Sequence, residues 1–255
     1  MTGAQADVAT GSLHIVGLGP GDPRLVSPLA QDVLSQATDI YGYSPYVARV
    51  DDRPGLRKHA SDNRQELDRA RAALTATENG DRAVIVSSGD PGVFAMAAAV
   101  FEAMEGEPRW QQLDVHVVPG ISAMLAAAAA VGAPLGHDFC AINLSDNLKP
   151  WDIIARRLRL AVKADFAIAL YNPRSRSRPD QFSDAMAVVA AAGGGDLPII
   201  LVRNATHTDQ TVHVTTVAAI AADLVDMRTL VIIGSSATRQ VGKWLYTPRR
   251  VEAAP

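Results

Sequence analysis

Leu13-His14-Ile15-Val16-Gly17-Leu18-Gly19-Pro20-Gly21-Asp22-Pro23 is the stretch on which the fold turns. Its first five residues are mostly apolar and read as a buried strand, Leu13–Gly17. Three glycines and a proline then break the strand, and Pro28–Ser35 reads as a helix. The same alternation continues outward. Strands are predicted at Asp39–Gly42, Arg82–Ser87, Asp114–Val118, Phe139–Leu144, Asp165–Tyr171, Pro198–Arg203, Thr211–Val214 and Thr229–Gly234. Helices are predicted at Asn63–Thr77, Val93–Met104, Ile121–Val131, Trp151–Val162, Pro179–Ala191 and Val217–Asp223; in the first, Leu67, Ala70, Ala73 and Leu74 recur at helical spacing. Lys243–Val251 reads as a loop or weak edge strand.

Strands alternating with helices predict an α/β fold. Gly132-Ala133-Pro134 punctuates the chain. It suggests an N-terminal α/β domain over residues 12–132 and a C-terminal one over 133–255, with a ligand cleft between them. Residues 1–11 read as a loose polar arm.

The 255 residues are 48% hydrophobic and 20% charged, which suits a packed core and argues against wholesale disorder. A net charge of −3 makes nucleic acid a poor default partner. No apolar run reaches the roughly 18 residues of a membrane helix; the alanine-rich stretch from Ile121 to Leu135 is broken by Gly132 and Pro134. The first ten residues hold no Lys or Arg and no apolar run, so they do not read as a secretory signal. The single cysteine, Cys140, cannot pair within the chain, which fits a reducing cytoplasm. No fixed-period repeat points to a solenoid.

The strand ends carry the chemical information. Gly17–Pro23 invites a dinucleotide reading, but Asp22 stands where GxGxxG wants glycine or alanine, and Pro20 removes an N–H that would face a pyrophosphate. No Gly-Lys-Ser/Thr follows, which excludes a P-loop. Gly-Asp-Pro recurs at 21–23 and at 89–91, inside Ser87-Ser88-Gly89-Asp90-Pro91-Gly92-Val93. Aspartate before proline suits a helix start, so Asp22 and Asp90 read either as caps or as ligand contacts. Pro119-Gly120-Ile121-Ser122-Ala123 leaves the same choice for Ser122. Further junctions are Tyr171-Asn172-Pro173-Arg174, Arg203-Asn204-Ala205-Thr206 and Met227-Arg228-Thr229.

Competing chemistries find less support. The six histidines lack helical ligand spacing and a cysteine partner for zinc. His14, His116 and His213 fall in predicted strands. Ser88, Asp90 and a distant histidine lack the Gly-x-Ser-x-Gly turn of a hydrolase. Arg156, Arg157, Arg159 and Lys163 read as a solvated helix face. Arg174, Arg176 and Arg178 read either as a solvated loop or as a carboxylate or phosphate clamp.

Taken in order, Gly19-Pro20-Gly21-Asp22, Ser88-Gly89-Asp90-Pro91, Pro119-Gly120-Ile121-Ser122-Ala123 and Thr229-Leu230-Val231-Ile232-Ile233-Gly234 resemble the tetrapyrrole methylase family, from about Leu13 to Gly234. Tyr41-Gly42-Tyr43 with Tyr46, Asp62–Glu66, Gly132–Cys140, Leu144-Ser145-Asp146 and Ala169–Arg176 resemble the branch that methylates precorrin-3B at carbon 17 and contracts the ring to precorrin-4. The anaerobic counterpart acts on a cobalt-bearing macrocycle, and other precorrin or uroporphyrinogen methylases share the fold.

The resemblance implies a homodimer and S-adenosyl-L-methionine as methyl donor. Matched position by position, it places donor contacts at Pro20, Ser88, Gly89, Asp90, Val93, Ser122, Ala123, Asn172, Ala205, Arg228 and Thr229. Asn172 stands where relatives often carry methionine, and Ala205 where they often carry glycine. Glycines 89 and 120 would then let the donor lie close to the backbone. Ring contraction calls for a base, for which Asp22 and then Asp146 are the candidates. The macrocycle's carboxylates call for cations, so Arg174, Arg176 and Lys149 are the expected clamp, with Tyr43 as a hydrogen-bonding wall.

Overall fold

A computed structural model describes residues 11–250. The predicted arm, except for the buried Gly11, lies outside the described residues. The chain forms two compact units, residues 1–122 and 123–255.

The first unit contains β1 (Ser12–Gly17), α1 (Pro28–Gln36), β2 (Asp39–Tyr43), α2 (Ser44–Val47), β3 (Arg57–Ser61), α3 (Glu66–Glu78), β4 (Arg82–Ser87), α4 (Met96–Glu105) and β5 (Asp114–Val118). Its sheet has the order β3-β2-β4-β1-β5, and every pairing is parallel. Parallel interior strands are covered on both faces and read as unbroken apolar runs. Ala83–Val86 of β4 is such a run and is wholly buried. Leu13, Ile15, Ala83 and Ile85 face α3 and α4 through Ala70, Leu74, Ala97 and Val100. Val16, Val84, Val86 and Ile40 face Ala30 and Val47 of the opposite layer.

The second unit contains α5 (Ala123–Val131), β6 (Gly132–Ala133), β7 (Phe139–Asn143), α6 (Trp151–Lys163), β8 (Ala167–Tyr171), α7 (Gln181–Val189), β9 (Pro198–Arg203), β10 (Thr211–Thr216), β11 (Thr229–Ile233), β12 (Arg239–Val241) and β13 (Trp244–Tyr246). Its main sheet, β10-β9-β11-β8-β7, is mixed. Only β7 and β8 pair in parallel, and β11 runs against both of its neighbours. One face packs on α6 and α7 around Phe182, Leu158 and Ile168. A small three-stranded sheet joins β12, β13 and β6.

The division falls before α5, upstream of the glycine-proline punctuation that suggested a boundary near residue 132. Ala126, Ala127 and Val131 of α5 pack against Ile200, Val202, Leu230 and Ile232 of the second sheet, which assigns that helix to the second unit. Other departures are local. The predicted helix from Val93 begins at Met96, because Phe94 has φ 53° and cannot continue a right-handed helix. The predicted helix Val217–Asp223 is two 3-10 turns, Val217–Ala219 and Ala222–Leu224, separated by extended Ile220 and Ala221. The basic cluster of α6 is exposed, opposite buried Ile154, Ala155, Leu158 and Ala161, as its spacing predicts.

Candidate functional site

Parallel strands bring all their C-terminal ends to one edge of a sheet, where α/β proteins gather ligands. In the first unit that edge carries Gly17–Asp22, Tyr43, the segment after Ser61, Ser87–Val93 and the segment 119–122. The first two glycine loops are joined. Leu18 N–H donates to the Ser87 carbonyl at 2.8 Å, and Gly19 and Gly89 exchange backbone hydrogen bonds at 3.2 and 2.9 Å. Both glycines sit in the left-handed region, with φ 66° and 67°.

The third loop closes on the other two. A Cβ on Gly120 would lie 2.2 Å from the Gly89 carbonyl oxygen, and one on Gly17 would lie 2.6 Å from the same oxygen. Gly17, Gly89 and Gly120 therefore meet backbone to backbone. This changes the reason for Gly120: the space a side chain would fill is occupied by protein. Asp90 fastens the arrangement. Its Oδ1 accepts from Gly92 N–H at 2.8 Å, and its Oδ2 accepts from Gly120 N–H at 3.0 Å. It does not cap α4, whose N-cap position is Ala95. Pro20, Ser88 and Val93 are half-buried around this contact, and Ser122 is buried.

The donor set of the second and third loops is hydroxyls, backbone groups and one carboxylate, with no lysine or arginine. With Asp90 as the one charged side chain, these loops suit a positively charged nucleoside better than a phosphate, which backbone N–H groups can hold but which Asp90 would repel.

Asp22 does cap a helix, the short Pro23–Leu25 turn, by accepting from Arg24 N–H at 2.9 Å. It also pairs with the Arg24 guanidinium at 2.6 Å. Hydrogen bonds from the Arg24 side chain, and then from its backbone, hold this carboxyl below the usual carboxylate range. It stays ionised, and it is a weaker base than an unpaired carboxylate. Tyr43 is half-buried and meets Tyr46 edge-on, with ring centroids 5.3 Å apart.

In the second unit β8 and β9 point the same way and β11 runs against them, so the start of β11 lies at the ends of β8 and β9. This edge collects Asn143–Asp146, Tyr171–Arg178, Asn204–Thr206 and Asp226–Thr229. Asn172 has φ 52°, and its Nδ2 donates to Asn143 Oδ1 at 3.1 Å. Asn143 Oδ1 also accepts from Ser145 N–H at 2.9 Å. The Tyr171 hydroxyl accepts from Met124 N–H at 3.1 Å, at the start of α5 beside Ala123. Ala205 is buried between Asn204 and Thr206, whose φ values are 50° and 71°. A β-branched residue at such a φ marks stored strain, a common property of ligand-contacting loops.

Arg228 and Thr229 serve a network around Asp226. Oδ1 of Asp226 accepts from Arg228 N–H and from the Thr229 hydroxyl, both at 2.9 Å, and Oδ2 accepts from Arg203 Nε at 2.9 Å. Burial opposes ionisation of Asp226, but these donors outweigh it and lower its pKa. Asp146 is exposed, 4.0 Å from Arg178 Nε.

The expected cationic clamp separates into distinct roles. Arg174 donates to the carbonyls of Pro179 and Ala222 at 2.9 and 3.2 Å, so its head ties a loop together. Arg176 is exposed. Lys149 is half-buried; burial and then Arg157 lower its pKa. Sequence reasoning missed Asn143, which orients Asn172, and Asp226, which organises the start of β11. Each sits one residue outside a motif, Asn143 near the end of a predicted strand and Asp226 in the loop before one, where polar residues are unremarkable.

The remaining titratable clusters are structural. Buried Asp39 receives Arg57, His59 and Thr38 at the opposite, N-terminal end of the first sheet. His14 and His116 stack at 4.8 Å on neighbouring strands. Among the described residues, no group of three or more His, Cys, Asp or Glu could hold a metal ion, and no helix is long and apolar enough to cross a membrane.

Comparison with known proteins extends these observations. The family described as Tetrapyrrole (Corrin/Porphyrin) Methylases matches residues 12–221. The chain is 48% identical over 246 residues to a precorrin-3B C(17)-methyltransferase of a Sinorhizobium species, covering 94% of this chain and 97% of that one. It also resembles the crystal structure of the methyltransferase CobJ, at 52% identity and TM-score 0.92, covering 93% of this chain and all of the other. A uroporphyrin-III C-methyltransferase from Thermus thermophilus, solved with S-adenosylhomocysteine, shares the fold at TM-score 0.68 and 21% identity.

Proposed function

The chain belongs to the tetrapyrrole methylases, and from that premise we propose that it transfers a methyl group from S-adenosyl-L-methionine to carbon 17 of precorrin-3B in cobalamin biosynthesis. The observation that carries the donor reading is the contact of Gly17, Gly89 and Gly120, fastened by Asp90, at one edge of a parallel sheet. When bound, the donor supplies an already activated methyl on a sulfonium. The protein's task is then alignment and exclusion of water, which can lower a barrier by roughly 7–11 kcal/mol.

Rigid loops suit that task. Asp90 fixes the second loop against the third, which holds Ser88 and the Gly89 backbone in register. The strained Asn204–Thr206 segment and the Asn143–Asn172 pair order the corresponding edge of the second unit. Ring contraction calls for a carboxylate that takes a hydroxyl proton. Asp146 meets a cation only at 4.0 Å, whereas Asp22 is held by Arg24 at 2.6 Å, so Asp146 becomes the first candidate and Asp22 the second. Arg176 and Lys149 would meet the macrocycle's carboxylates, with Tyr43 at its edge. A homodimer in the cytoplasm completes this reading.

The test is incubation with precorrin-3B and S-adenosylmethionine, followed by mass and absorbance of the product. A gain of one methyl with the spectrum of a contracted ring supports the proposal. Methylation only of the cobalt-bearing macrocycle would move the chain to the anaerobic reaction, and titration with S-adenosylhomocysteine tests the donor site by itself.

A further inference from the structure

Arg49 lies just beyond α2 and belongs to none of the motifs above. Its Nη2 donates to the Leu18 carbonyl at 2.5 Å and its Nη1 to the Gly19 carbonyl at 3.3 Å. The Gly19 oxygen also accepts from Gly89 N–H at 2.9 Å. The guanidinium therefore grips the first glycine loop at the point where that loop is joined to the second. Its guanidinium hydrogen bonds go to backbone carbonyls, and among the described residues it forms no ion pair with a carboxylate, although Asp51 and Asp52 line the same cavity. Arg49 is exposed overall, yet partial burial lowers its pKa, with Tyr46 acting the other way.

The surroundings say what this cation holds. A cavity of about 530 Å³ lies on this side of the loop and is lined by Leu18, Gly21, Pro23, Arg49 and Arg53, among others. At the lining of this cavity, two charge-assisted hydrogen bonds from Arg49 hold the Leu18 and Gly19 carbonyls. We propose that Arg49 is a positioning residue that braces the first glycine loop against the second and thereby sets the affinity for the methyl donor. The inference rests on the donor reading given above.

The test uses the full chain and S-adenosylhomocysteine as probe. Arg49→Met keeps the apolar stem and removes the donors; Arg49→Lys keeps the charge but not the fork. Calorimetric titration is expected to show Kd raised about tenfold in Arg49→Met, equivalent to about 1.4 kcal/mol, with a smaller rise in Arg49→Lys. In turnover the KM for the donor rises while the KM for the macrocycle holds, a split that general loosening would not produce. Wild-type binding with an unchanged Kd in Arg49→Met overturns the inference. If that variant does not fold, an unchanged Kd in Arg49→Lys does the same. Wild-type protein that fails to bind the probe overturns the donor reading itself.

Discussion

Replacement of Gly120 by alanine tests the architecture of the candidate site most directly. The new methyl would stand 2.2 Å from the Gly89 carbonyl oxygen, 3.0 Å from Gly17 Cα and 3.1 Å from the Gly17 carbonyl carbon. A relaxed carbon–oxygen contact needs more than 3 Å, so the loops must separate by about 1 Å. All the clashing atoms are backbone, and no side-chain rotation can relieve them. Overpacking of this kind costs about 1–3 kcal/mol. Movement of the 120 segment also stretches the 3.0 Å hydrogen bond from its N–H to Asp90, an interaction with a charged acceptor worth about 1.5–3 kcal/mol. Together the two terms come to about 2.5–6 kcal/mol, which corresponds to a melting temperature lower by about 5–24 °C for a chain of this size. The assay pairs thermal melting with titration of S-adenosylhomocysteine. Gly106→Ala serves as control, because its methyl would meet only the Ala103 carbonyl oxygen at 3.9 Å. If Gly120→Ala melts and binds as the control does, the three-loop contact does not organise the site.

Asp90→Ala frees the N–H groups of Gly92 and Gly120; donor affinity is expected to fall at least tenfold while circular dichroism still reports a folded chain. Asp39→Asn tests the pole of the first sheet away from the glycine loops. Burial opposes the charge on Asp39, but hydrogen bonds from Arg57, His59 and Thr38 prevail and depress its pKa. A depressed carboxyl stabilises the fold above its unfolded pKa of about 3.9 and loses that contribution as pH falls through the folded value. Chemical denaturation should therefore separate wild type from Asp39→Asn clearly at pH 7, with the gap shrinking below about pH 4; a gap that is constant with pH refutes the assignment. Arg176→Ala should raise the macrocycle KM several-fold without altering melting, whereas Arg174→Ala should lower the melting temperature by untying Pro179 and Ala222. The reverse pattern in kinetics and melting would return the clamp to Arg174.

The elements most legible in the sequence are those whose burial leaves a one-dimensional signature. Arg82–Ser87 and Pro198–Arg203, both largely buried, have the same bounds in the structure as in the reading from residues alone, and so does the mostly exposed edge strand Asp114–Val118, which was legible from its β-branched residues instead. The strand Arg57-Lys58-His59-Ala60-Ser61 was invisible, because it is an edge strand with polar side chains and no apolar alternation. The helix Ala123–Val131 was read correctly as a helix yet assigned to the wrong unit, since a run of alanines does not say which sheet it will meet.

The glycine loops stood out because strand ends rich in glycine are rare and specific. Their physical reason did not, since contact between Gly17, Gly89 and Gly120 depends on register between distant strands. Arg49 gave no signal either. An arginine in Val47-Ala48-Arg49-Val50 looks like any solvated side chain until the carbonyls of Leu18 and Gly19 are placed beside it.

The strand order of the first sheet has a consequence for biosynthesis. β1 pairs with β4 on one side and with β5 on the other, so the first of the described strands to be synthesised waits for the last strand of its sheet before both of its edges are covered. Long waits for distant partners slow folding. The glycine contact inherits this delay, because its third member follows β5 directly. A nascent chain from which that residue has not yet emerged lacks the three-glycine contact, however much of the sheet has already formed.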